Sequence, residues 1–389
     1  MARVAFYSTN AGLPWGGSEH LWSRAAHRLL KRGHAVSVSY KHWPDGEPEP
    51  LQRLREAGAR VHLRRAQPLW KRLGRRLARK ALRNTGATGA SRRFSAEGAA
   101  ERWLEHEAPD LVLVTVSYHT DALPIAAACR RRGIPYALNL QCASRRDSWP
   151  ADDDEQYRRA YTEAARCFFL SAENRHIIED KIAAPLPQAA QVPNPLGVRP
   201  DAPLPWPSPE EGWRLACVGR LHFRSKGQDT ILRVLRREKW RGRPLRVAFF
   251  GRDQGNREQL EALIRRYDLE EQARYAGFED PEVIWRAHHG LLLPSRYEGM
   301  PMVTPEAMTC GRVPIVTRCG RNPDLVADGD TGFLAEAATE RLVDRALERA
   351  WQRRSEWKKM GRRAAQHIRE DFEDDPPGAF ARRLLDLLS

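Results

Sequence analysis

The feature that most limits the fold of this chain is a strand–helix alternation that occurs twice, on either side of a proline-rich stretch. In the first half, hydrophobic runs such as RVAFYST, AVSVSY and DLVLVTV alternate with amphipathic helical stretches. The alternation starts again at WRLACVG and continues through LRVAFFG to VPIVTRCG. Strands separated by amphipathic helices predict parallel sheets with helices on both faces. The chain therefore predicts an α/β protein with two Rossmann-like, doubly wound domains.

The proline-rich stretch sets the predicted domain boundaries. Seven prolines fall within residues 193–209, a density that neither a helix nor a central strand tolerates. We predict an amino-terminal domain over residues 1–192, a linker over 193–212 and a carboxy-terminal domain over 213–370. Residues 371–389 predict a terminal helix, which we expect to pack back on the amino-terminal domain.

Length and composition narrow the class of protein. The chain has 389 residues, of which 41% are apolar and 30% charged, and these values are typical of globular proteins. No stretch provides the roughly 18 uninterrupted apolar residues that a membrane helix requires. The start, MARVAFYST, leads directly into a strand pattern and lacks the segments of a secretory signal. We therefore predict a soluble, cytoplasmic protein.

Cysteine spacing and net charge indicate which metal sites, disulfides and binding partners the chain could have. The six cysteines include no CxxC pair, so the sequence predicts neither a zinc site nor a disulfide framework. The formal net charge of +15 indicates a phosphate-bearing partner, which could be nucleic acid, an anionic lipid surface or a nucleotide. Net charge alone does not distinguish among these three kinds of partner.

The stretch SRYEGMPMVTPEAMTCG places two glutamates, Glu298 and Glu306, eight residues apart. Thr304 predicts a helix cap, Pro305 suits the first helical position and Glu306 then lies in the first turn. A helix amino terminus after a parallel strand attracts phosphate, and a carboxylate accepts hydrogen bonds from a diol such as ribose. The pattern is typical of a site that binds a nucleotide sugar. The alternative is that one glutamate caps the helix and the other is a solvated loop residue, which would produce the same sequence.

The same stretch resembles the E-x7-E signature of the glycogen-synthase-like family of retaining glycosyltransferases, the family 4-like or group 1 glycosyl transferases with the GT-B fold. That resemblance implies two Rossmann-like domains facing across a cleft. It implies that Glu298 contacts the donor sugar and that Glu306 binds the ribose. It also implies that backbone amides of the turn between them hold the sugar and the phosphate; this turn comprises Gly299, Met300, Pro301 and Met302.

Two cations and a glycine extend the resemblance in the second half. In ACVGRLHFRSKGQDT, Arg220 follows a strand end and Lys226 precedes a helix, so both could stabilise the charge that develops on a leaving diphosphate. With 65 basic residues in the chain, a solvated surface is the ordinary explanation for any one of them. The family match favours these two as catalytic residues together with Glu298. Gly251 in FFGRDQG would allow the backbone to approach the nucleotide closely.

The amino-terminal half supplies three further candidates. Gly16 and Gly17 precede a helix and resemble the family's Gly-Gly turn facing the donor, whereas an ordinary cap at Ser18 is the alternative. Gln141 stands where many relatives have a histidine near the donor's reacting carbon, so we assign it to donor binding. His119 is an acceptor-side candidate, and an isolated histidine is equally compatible with a structural role.

Two charged stretches have competing interpretations. Asp152 and Asp154 form a D-x-D pattern that could hold a divalent cation, but the helix that follows favours a capping role, so we predict no metal. Residues 64–83 contain nine basic and no acidic residues, with leucines at helical spacing. That helix could contact an anionic membrane at its inner face, bind a polyanionic acceptor or leave its arginines in water.

Taken with these features, the resemblance implies a retaining, metal-independent hexosyltransferase without a cofactor. Its donor would be a UDP-sugar or GDP-mannose. Its acceptor would be a hydroxyl of a glycan, a glycolipid or another cell-surface or secondary-metabolite molecule. A GT-B epimerase or hydrolase of nucleotide sugars and a non-catalytic nucleotide-binding relative remain alternatives. A nucleic-acid-binding module would suit the charge, but no aromatic and basic binding motif appears, so we predict no nucleic acid partner.

Overall fold

A computed structural model describes residues 1–10, 12, 14–64, 96–117, 121–145 and 154–388. The chain divides into two compact units. The first unit comprises Met1–Pro195 and Asp375–Ser389, and the second comprises Leu196–Asp374. Within the described ranges, none of the helices combines the length and the hydropathy that crossing a lipid bilayer takes.

The first unit is built on a parallel sheet of seven strands in the order β3-β2-β1-β4-β5-β6-β7. The central strands are buried along their whole length, as is typical of a parallel sheet covered on both faces. The strands are β1 Arg3–Ser8, β2 Ala35–Lys41, β3 Arg60–Arg64, β4 Leu111–Val116, β5 Tyr136–Leu140, β6 Arg166–Phe169 and β7 Ala189–Gln191.

Helices connect these strands and bury one face each. In α1 the buried residues include Leu21, Trp22, Ala25 and Leu29, the spacing of an amphipathic helix that packs on a core. The described helices that lie between the strands are α1 Gly17–Lys31, α2 Glu49–Glu56, α3 Ala96–Glu107, α4 Leu123–Arg131, α5 Asp154–Thr162 and α6 Ala172–Ile182.

The second unit has a parallel sheet of six strands in the order β10-β9-β8-β11-β12-β13. Its strands are β8 Trp213–Val218, β9 Leu245–Phe250, β10 Ala273–Gly277, β11 Gly290–Leu293, β12 Val313–Thr317 and β13 Phe333–Ala335. Its helices are α7 Phe223–Lys226, α8 Gln228–Leu235, α9 Glu238–Arg241, α10 Arg257–Arg266, α11 Pro281–Ala287, α12 Val303–Thr309, α13 Asn322–Leu325, α14 Glu340–Gln352 and α15 Trp357–Asp371, with a 3₁₀ turn at Arg354–Glu356.

Both sheets have the doubly wound order in which the strand sequence reverses beside the first strand of the unit. The reversal lies between β1 and β4 in the first unit and between β8 and β11 in the second. At such a switch point the loops after the two strands diverge to opposite faces, which leaves a crevice at the carboxyl ends of the strands. The two predicted α/β domains with parallel sheets are confirmed.

The proline-rich stretch is divided between the units. Residues 193–195 belong to the first unit and residues 196–212 to the second. The Leu204 N–H donates to the Cys310 carbonyl at 3.2 Å, and the buried Arg312 guanidinium donates to the carbonyls of Leu204 and Pro205 at 3.3 and 2.6 Å. Prolines lack an N–H group but keep a carbonyl, so this stretch can pack on a domain without forming a helix or strand.

The last helix, α16 Pro376–Leu385, belongs to the first unit. Its Phe380 ring meets that of Phe168 edge-on, with the ring centroids 4.9 Å apart. Asp375, the residue that caps α16, accepts a hydrogen bond from Arg28 at 3.2 Å. Helix α15 continues to Asp371, so the chain leaves the second unit after residue 374 rather than at the predicted residue 370.

Candidate functional site

The switch point of the second sheet brings two sequence-predicted residues into contact. Lys226 ends the short helix α7, which follows β8, and Glu298 lies in the loop that follows β11. The Lys226 ammonium nitrogen lies 2.5 Å from Glu298 Oε1, and the two side chains are only 13% and 11% exposed. The Ser295 hydroxyl also donates to Oε1, at 2.6 Å. Because most water is excluded, this ion pair holds both side chains in one geometry.

Arg296, which the sequence analysis did not single out, clamps the two loops of this site together. Its guanidinium donates to both carboxylate oxygens of Asp229 at 3.0 Å and also to the Phe223 carbonyl. Its backbone N–H donates to the Ser225 carbonyl at 2.7 Å. A bidentate arginine–carboxylate pair is strong and directional. The segment that carries Lys226 is therefore fixed against the loop that carries Glu298.

A glycine at the end of β9 permits close packing beside the site. Gly251 has φ +133°, and a Cβ atom there would lie 2.1 Å from the Gly219 carbonyl oxygen. Its own carbonyl accepts a hydrogen bond from the Tyr275 hydroxyl at 2.8 Å. Any larger residue would push the ends of β8 and β9 apart. The structure thus gives Gly251 a packing role, and its predicted contact with the nucleotide stays a prediction.

The turn between the two glutamates leads into α12, but the helix starts earlier than predicted. Helix α12 begins at Val303 with Met302 at the cap position, and no side chain caps it. The prediction of Thr304 as the cap was wrong, because Thr304 already lies inside the first turn, and its buried hydroxyl has no partner among the described residues. Pro305 is accordingly the third residue of the helix and not the first, as predicted. Gly299 and Met300, which belong to this turn, are buried.

Glu306 lies in the first turn of α12 and is only 9% exposed. Burial raises the pKa of its carboxyl to about 7, and the hydrogen bond from the Gly197 N–H, at 2.8 Å, acts in the opposite direction. A Cβ atom on Gly197 would lie 2.8 Å from the same carboxylate oxygen, so a side chain there would displace Glu306. The glutamate is thereby held by the segment just after residue 195.

Arg220 is placed differently from Lys226. Its side chain is exposed and donates to Gln254 Oε1 at 3.2 Å, while its backbone carbonyl accepts from Gln228 at 2.9 Å. Among the described residues, no contact joins its guanidinium to the Lys226–Glu298 pair. Its predicted part in catalysis therefore stays a prediction.

In the first unit the glycine turn begins α1. Gly16 is the cap residue and Gly17 the first residue of the helix, and no side chain caps this end. The Ser18 hydroxyl donates to Glu19 Oε1 at 3.0 Å instead of capping, so the alternative of an ordinary Ser18 cap was wrong. The Glu19 carboxyl is fully buried, which raises its pKa, and it accepts from Trp22 Nε1 at 2.7 Å.

Gln141 follows β5 and is 7% exposed. Its backbone N–H donates to the Val116 carbonyl at 2.9 Å, and its side-chain oxygen accepts from Asn194 Nδ2 at 3.0 Å. The structure thus gives this residue a partner that the sequence analysis missed. Asn194 lies inside the proline-rich stretch, where spacing alone does not distinguish it from a loop residue.

Several predictions fall outside the described residues. His119 and Asp152 lie there, as do residues 65–83 of the predicted basic helix. Arg64, the predicted first residue of that helix, is instead the last residue of β3. Asp154 is the first residue of α5. In the part of the chain that the structure describes, no group of three or more His, Cys, Asp or Glu side chains is arranged to hold a metal ion.

Comparison with known proteins agrees with this architecture. The family model of the glycosyl transferase 4-like domain matches residues 16–195, and that of the glycosyl transferases group 1 matches residues 199–367. The chain belongs to the group 1 glycosyl transferases.

Individual relatives of this group 1 glycosyl transferase align over shorter spans. N-acetyl-alpha-D-glucosaminyl L-malate synthase of Bacillus anthracis is 31% identical over 115 residues, which cover 29% of this chain and 30% of that protein. Glycogen synthase of Xanthomonas axonopodis pv. citri is 33% identical over 165 residues, or 42% and 32% of the two chains. The chain thus spans about a third of the length of the curated relatives it matches.

Solved structures agree with the GT-B fold of this group 1 glycosyl transferase. HepE of Anabaena in complex with UDP has a TM-score of 0.72 and 15% identity, with 99% of each chain covered. The same protein was also solved with UDP-glucose. At that level of identity the likeness shows the fold alone.

Proposed function

We propose that this group 1 glycosyl transferase moves a hexose from a nucleoside diphosphate sugar to an acceptor hydroxyl, with retention at the anomeric carbon. The donor would be a UDP-sugar or GDP-mannose, and the acceptor would be a glycan, a glycolipid or another small molecule with a free hydroxyl. The observation that carries the proposal is the buried Lys226–Glu298 pair at the switch point of the second sheet. Doubly wound sheets bind nucleotides at that point.

Each charged residue has a distinct part in the proposed reaction. Lys226, with Arg220 beside the same strand end, would offset the negative charge that grows on the diphosphate as the bond to the sugar breaks. Glu298 would accept hydrogen bonds from the sugar hydroxyls, and Glu306 would accept them from the ribose. Amides at the uncapped start of α12 would face the diphosphate.

The proposed reaction retains the anomeric configuration and needs no metal, because the leaving diphosphate itself can accept the proton of the acceptor hydroxyl. If the acceptor attacks from the face that the diphosphate leaves, the departing phosphate oxygen can take the acceptor's proton directly. A titrating side chain at position 141 is then unnecessary, and Gln141 can act by hydrogen bonding alone. The two cations would replace the divalent ion that neutralises the diphosphate in metal-dependent enzymes.

Donor binding is tested first and turnover second. We expect UDP or GDP to raise the melting temperature of the wild-type chain, because a ligand that binds only the folded state stabilises it. ADP serves as the third nucleotide of the screen. Failure of all three to shift the melting temperature or to bind in calorimetry would contradict the proposal.

Turnover would then be followed with the matching nucleotide sugar, with and without a panel of glycan and lipid acceptors. Proton NMR of the new glycosidic bond should show the anomeric configuration of the donor. Release of free sugar, or of an altered nucleotide sugar, at the same rate without acceptor would identify a hydrolase or an epimerase instead.

A further inference from the structure

Gln141 and Asn194 form a buried amide pair in which each side chain has one polar atom without a partner. Gln141 follows β5, Asn194 follows β7, and they are 7% and 2% exposed. Asn194 Nδ2 donates to Gln141 Oε1 at 3.0 Å. Among the described residues, Gln141 Nε2 and Asn194 Oδ1 have no hydrogen-bond partner. Buried polar atoms are almost always paired, so two such atoms in one contact call for an explanation.

The hydrogen bond between the two amides fixes the direction in which each one points. Because Asn194 donates to the oxygen of Gln141, the Gln141 amide must turn its Nε2 group away from Asn194. The outer end of Gln141 is therefore a hydrogen-bond donor and that of Asn194 an acceptor. A hydroxyl group can accept from the first and donate to the second, which a carbonyl or phosphate oxygen cannot do.

A third amide extends this neutral polar surface. Asn139 lies in β5, two residues before Gln141, and the hydrogen bond from the Gln141 N–H to Val116 continues the pairing with β4 past the end of β5. Alternation of side chains then places both amides on the same face of the sheet. Asn139 is fully buried, and neither polar atom of its side chain has a partner in the described part of the chain. These amides carry no charge, so the chemistry they fit is that of neutral sugar hydroxyls.

We infer that Asn194 is a positioning residue that fixes Gln141 as a hydrogen-bond donor to a hydroxyl of the donor sugar. The pair thereby contributes to the choice of sugar. This inference rests on the proposed function, because it assigns the bound hydroxyl to the sugar of the nucleotide donor. The backbone hydrogen bond from Gln141 to Val116 at 2.9 Å ties the pair to the carboxyl end of β4, where doubly wound sheets bind ligands.

Isosteric variants test the direction of the amide. In Asn194→Asp the carboxylate can only accept, so Gln141 must turn its Nε2 group toward position 194 and present its oxygen to the sugar. Calorimetry with UDP-glucose and UDP should show UDP-glucose affinity falling about tenfold, while UDP affinity stays unchanged. If the nucleotide screen selects GDP, the two probes become GDP-mannose and GDP. If it selects ADP, they become ADP-glucose and ADP.

Two further variants separate positioning from a structural role. Asn194→Ala leaves Gln141 free to adopt either direction, so its loss of UDP-glucose affinity should be smaller than that of Asn194→Asp. A purely structural role would shift the affinities for UDP and UDP-glucose together. Gln141→Glu, which replaces the donor by an acceptor, should reproduce the selective loss and provides the same test if Asn194→Asp fails to fold.

Gln188 offers a matched control for the amide-to-carboxylate change. Its Nε2 donates to the Tyr161 carbonyl at 3.0 Å. Gln188 directly precedes β7, so it lies at the amino ends of the strands, whereas Gln141 and Asn194 follow the carboxyl ends. Gln188→Glu should lower the melting temperature without changing the ratio of the two affinities. An unchanged ratio in folded Asn194→Asp and Gln141→Glu would overturn this inference and leave the proposed function intact. Absence of nucleotide binding by the wild-type chain would overturn both.

Discussion

The carboxyl ends of the two sheets carry different kinds of side chain. In the second unit, the residues after β8 and β11 are charged and paired, with Lys226 against Glu298 and Arg296 against Asp229. In the first unit, the residues after β5 and β7 are neutral amides, Gln141 and Asn194. The same strand order thus presents two kinds of polar side chain at its carboxyl ends. Fixed charges suit a diphosphate, whereas oriented amides suit hydroxyl groups.

The largest expected effect comes from removing the cation of the second unit. Lys226→Ala should lower turnover on the order of 100- to 1,000-fold, as loss of a group that stabilises developing charge does elsewhere. Affinities for UDP and UDP-glucose should fall together, in contrast to the selective loss expected at Gln141. Steady-state kinetics and calorimetry measure both quantities. Lys359→Ala, at an exposed lysine, is the control, and comparable activity of the two variants would refute the role of Lys226.

Glu306 should make the stability of the second unit depend on pH. Its pKa in the folded state is raised to about 7, above its ordinary value of 4.5. The folded state therefore keeps a proton that the unfolded state releases, and stability falls as pH rises from about 4.5 to about 7. Relative to Glu306→Gln, the wild-type chain should lose about 3 kcal/mol of unfolding free energy across that interval. Urea denaturation at several pH values tests this, and parallel curves for the two proteins would contradict it.

The contacts of Arg296 should contribute both to the stability of the second unit and to the position of Lys226 relative to Glu298. Arg296→Lys keeps the charge but loses the bidentate geometry with Asp229, so we expect a loss of about 2 kcal/mol in unfolding free energy. The Michaelis constant for the donor should also rise, because the segment that carries Lys226 would be held less firmly against the loop that carries Glu298. Arg286→Lys provides a control at an exposed pair with Glu282. Equal losses of stability and no kinetic change would show that the clamp is an ordinary surface ion pair.

The smallest effect concerns the competition between Glu298 and the diphosphate for Lys226. Glu298→Gln keeps the shape of the side chain and removes its negative charge. We expect UDP affinity to increase about threefold, on the order of 0.7 kcal/mol, while turnover decreases because a sugar contact is altered. Calorimetry and single-turnover kinetics separate the two changes. A decrease in UDP affinity would indicate that Glu298 supports nucleotide binding rather than competing with it.

Local patterns were enough to predict most of the fold. Hydrophobic runs and amphipathic spacing predicted the two parallel sheets, because strand and helix periodicity are properties of neighbouring residues. Helix starts were less predictable. Thr304 has the composition of a cap, yet α12 begins one residue before it without a capping side chain. The helix starts directly after the turn from Gly299 to Met302, and a cap contributes only on the order of 1 kcal/mol.

The candidate site was predictable only in part. Glu298 and Lys226 could be found because each stands in a short motif, but their contact spans 72 positions of the chain. Arg296 and Asn194 have no motif of their own, and their roles appear only through partners that are 67 and 53 positions away. Spacing along the chain carries no information about such pairs.

By itself, the sequence determined the class of fold, the two sheets and the short motifs that mark the group 1 glycosyl transferases, because these depend on residues within a few turns of one another. Tertiary structure alone decided that Lys226 meets Glu298, that Gly197 holds Glu306 and that Asn194 orients Gln141. Lys226 and Glu298 follow strands that are distant in sequence but adjacent in the second sheet, and Gln141 and Asn194 follow the two strands on either side of β6. Gly197 and Glu306 are 109 positions apart in the chain. The strength of each contact then depends on burial, which excludes the water that would otherwise satisfy the same polar groups.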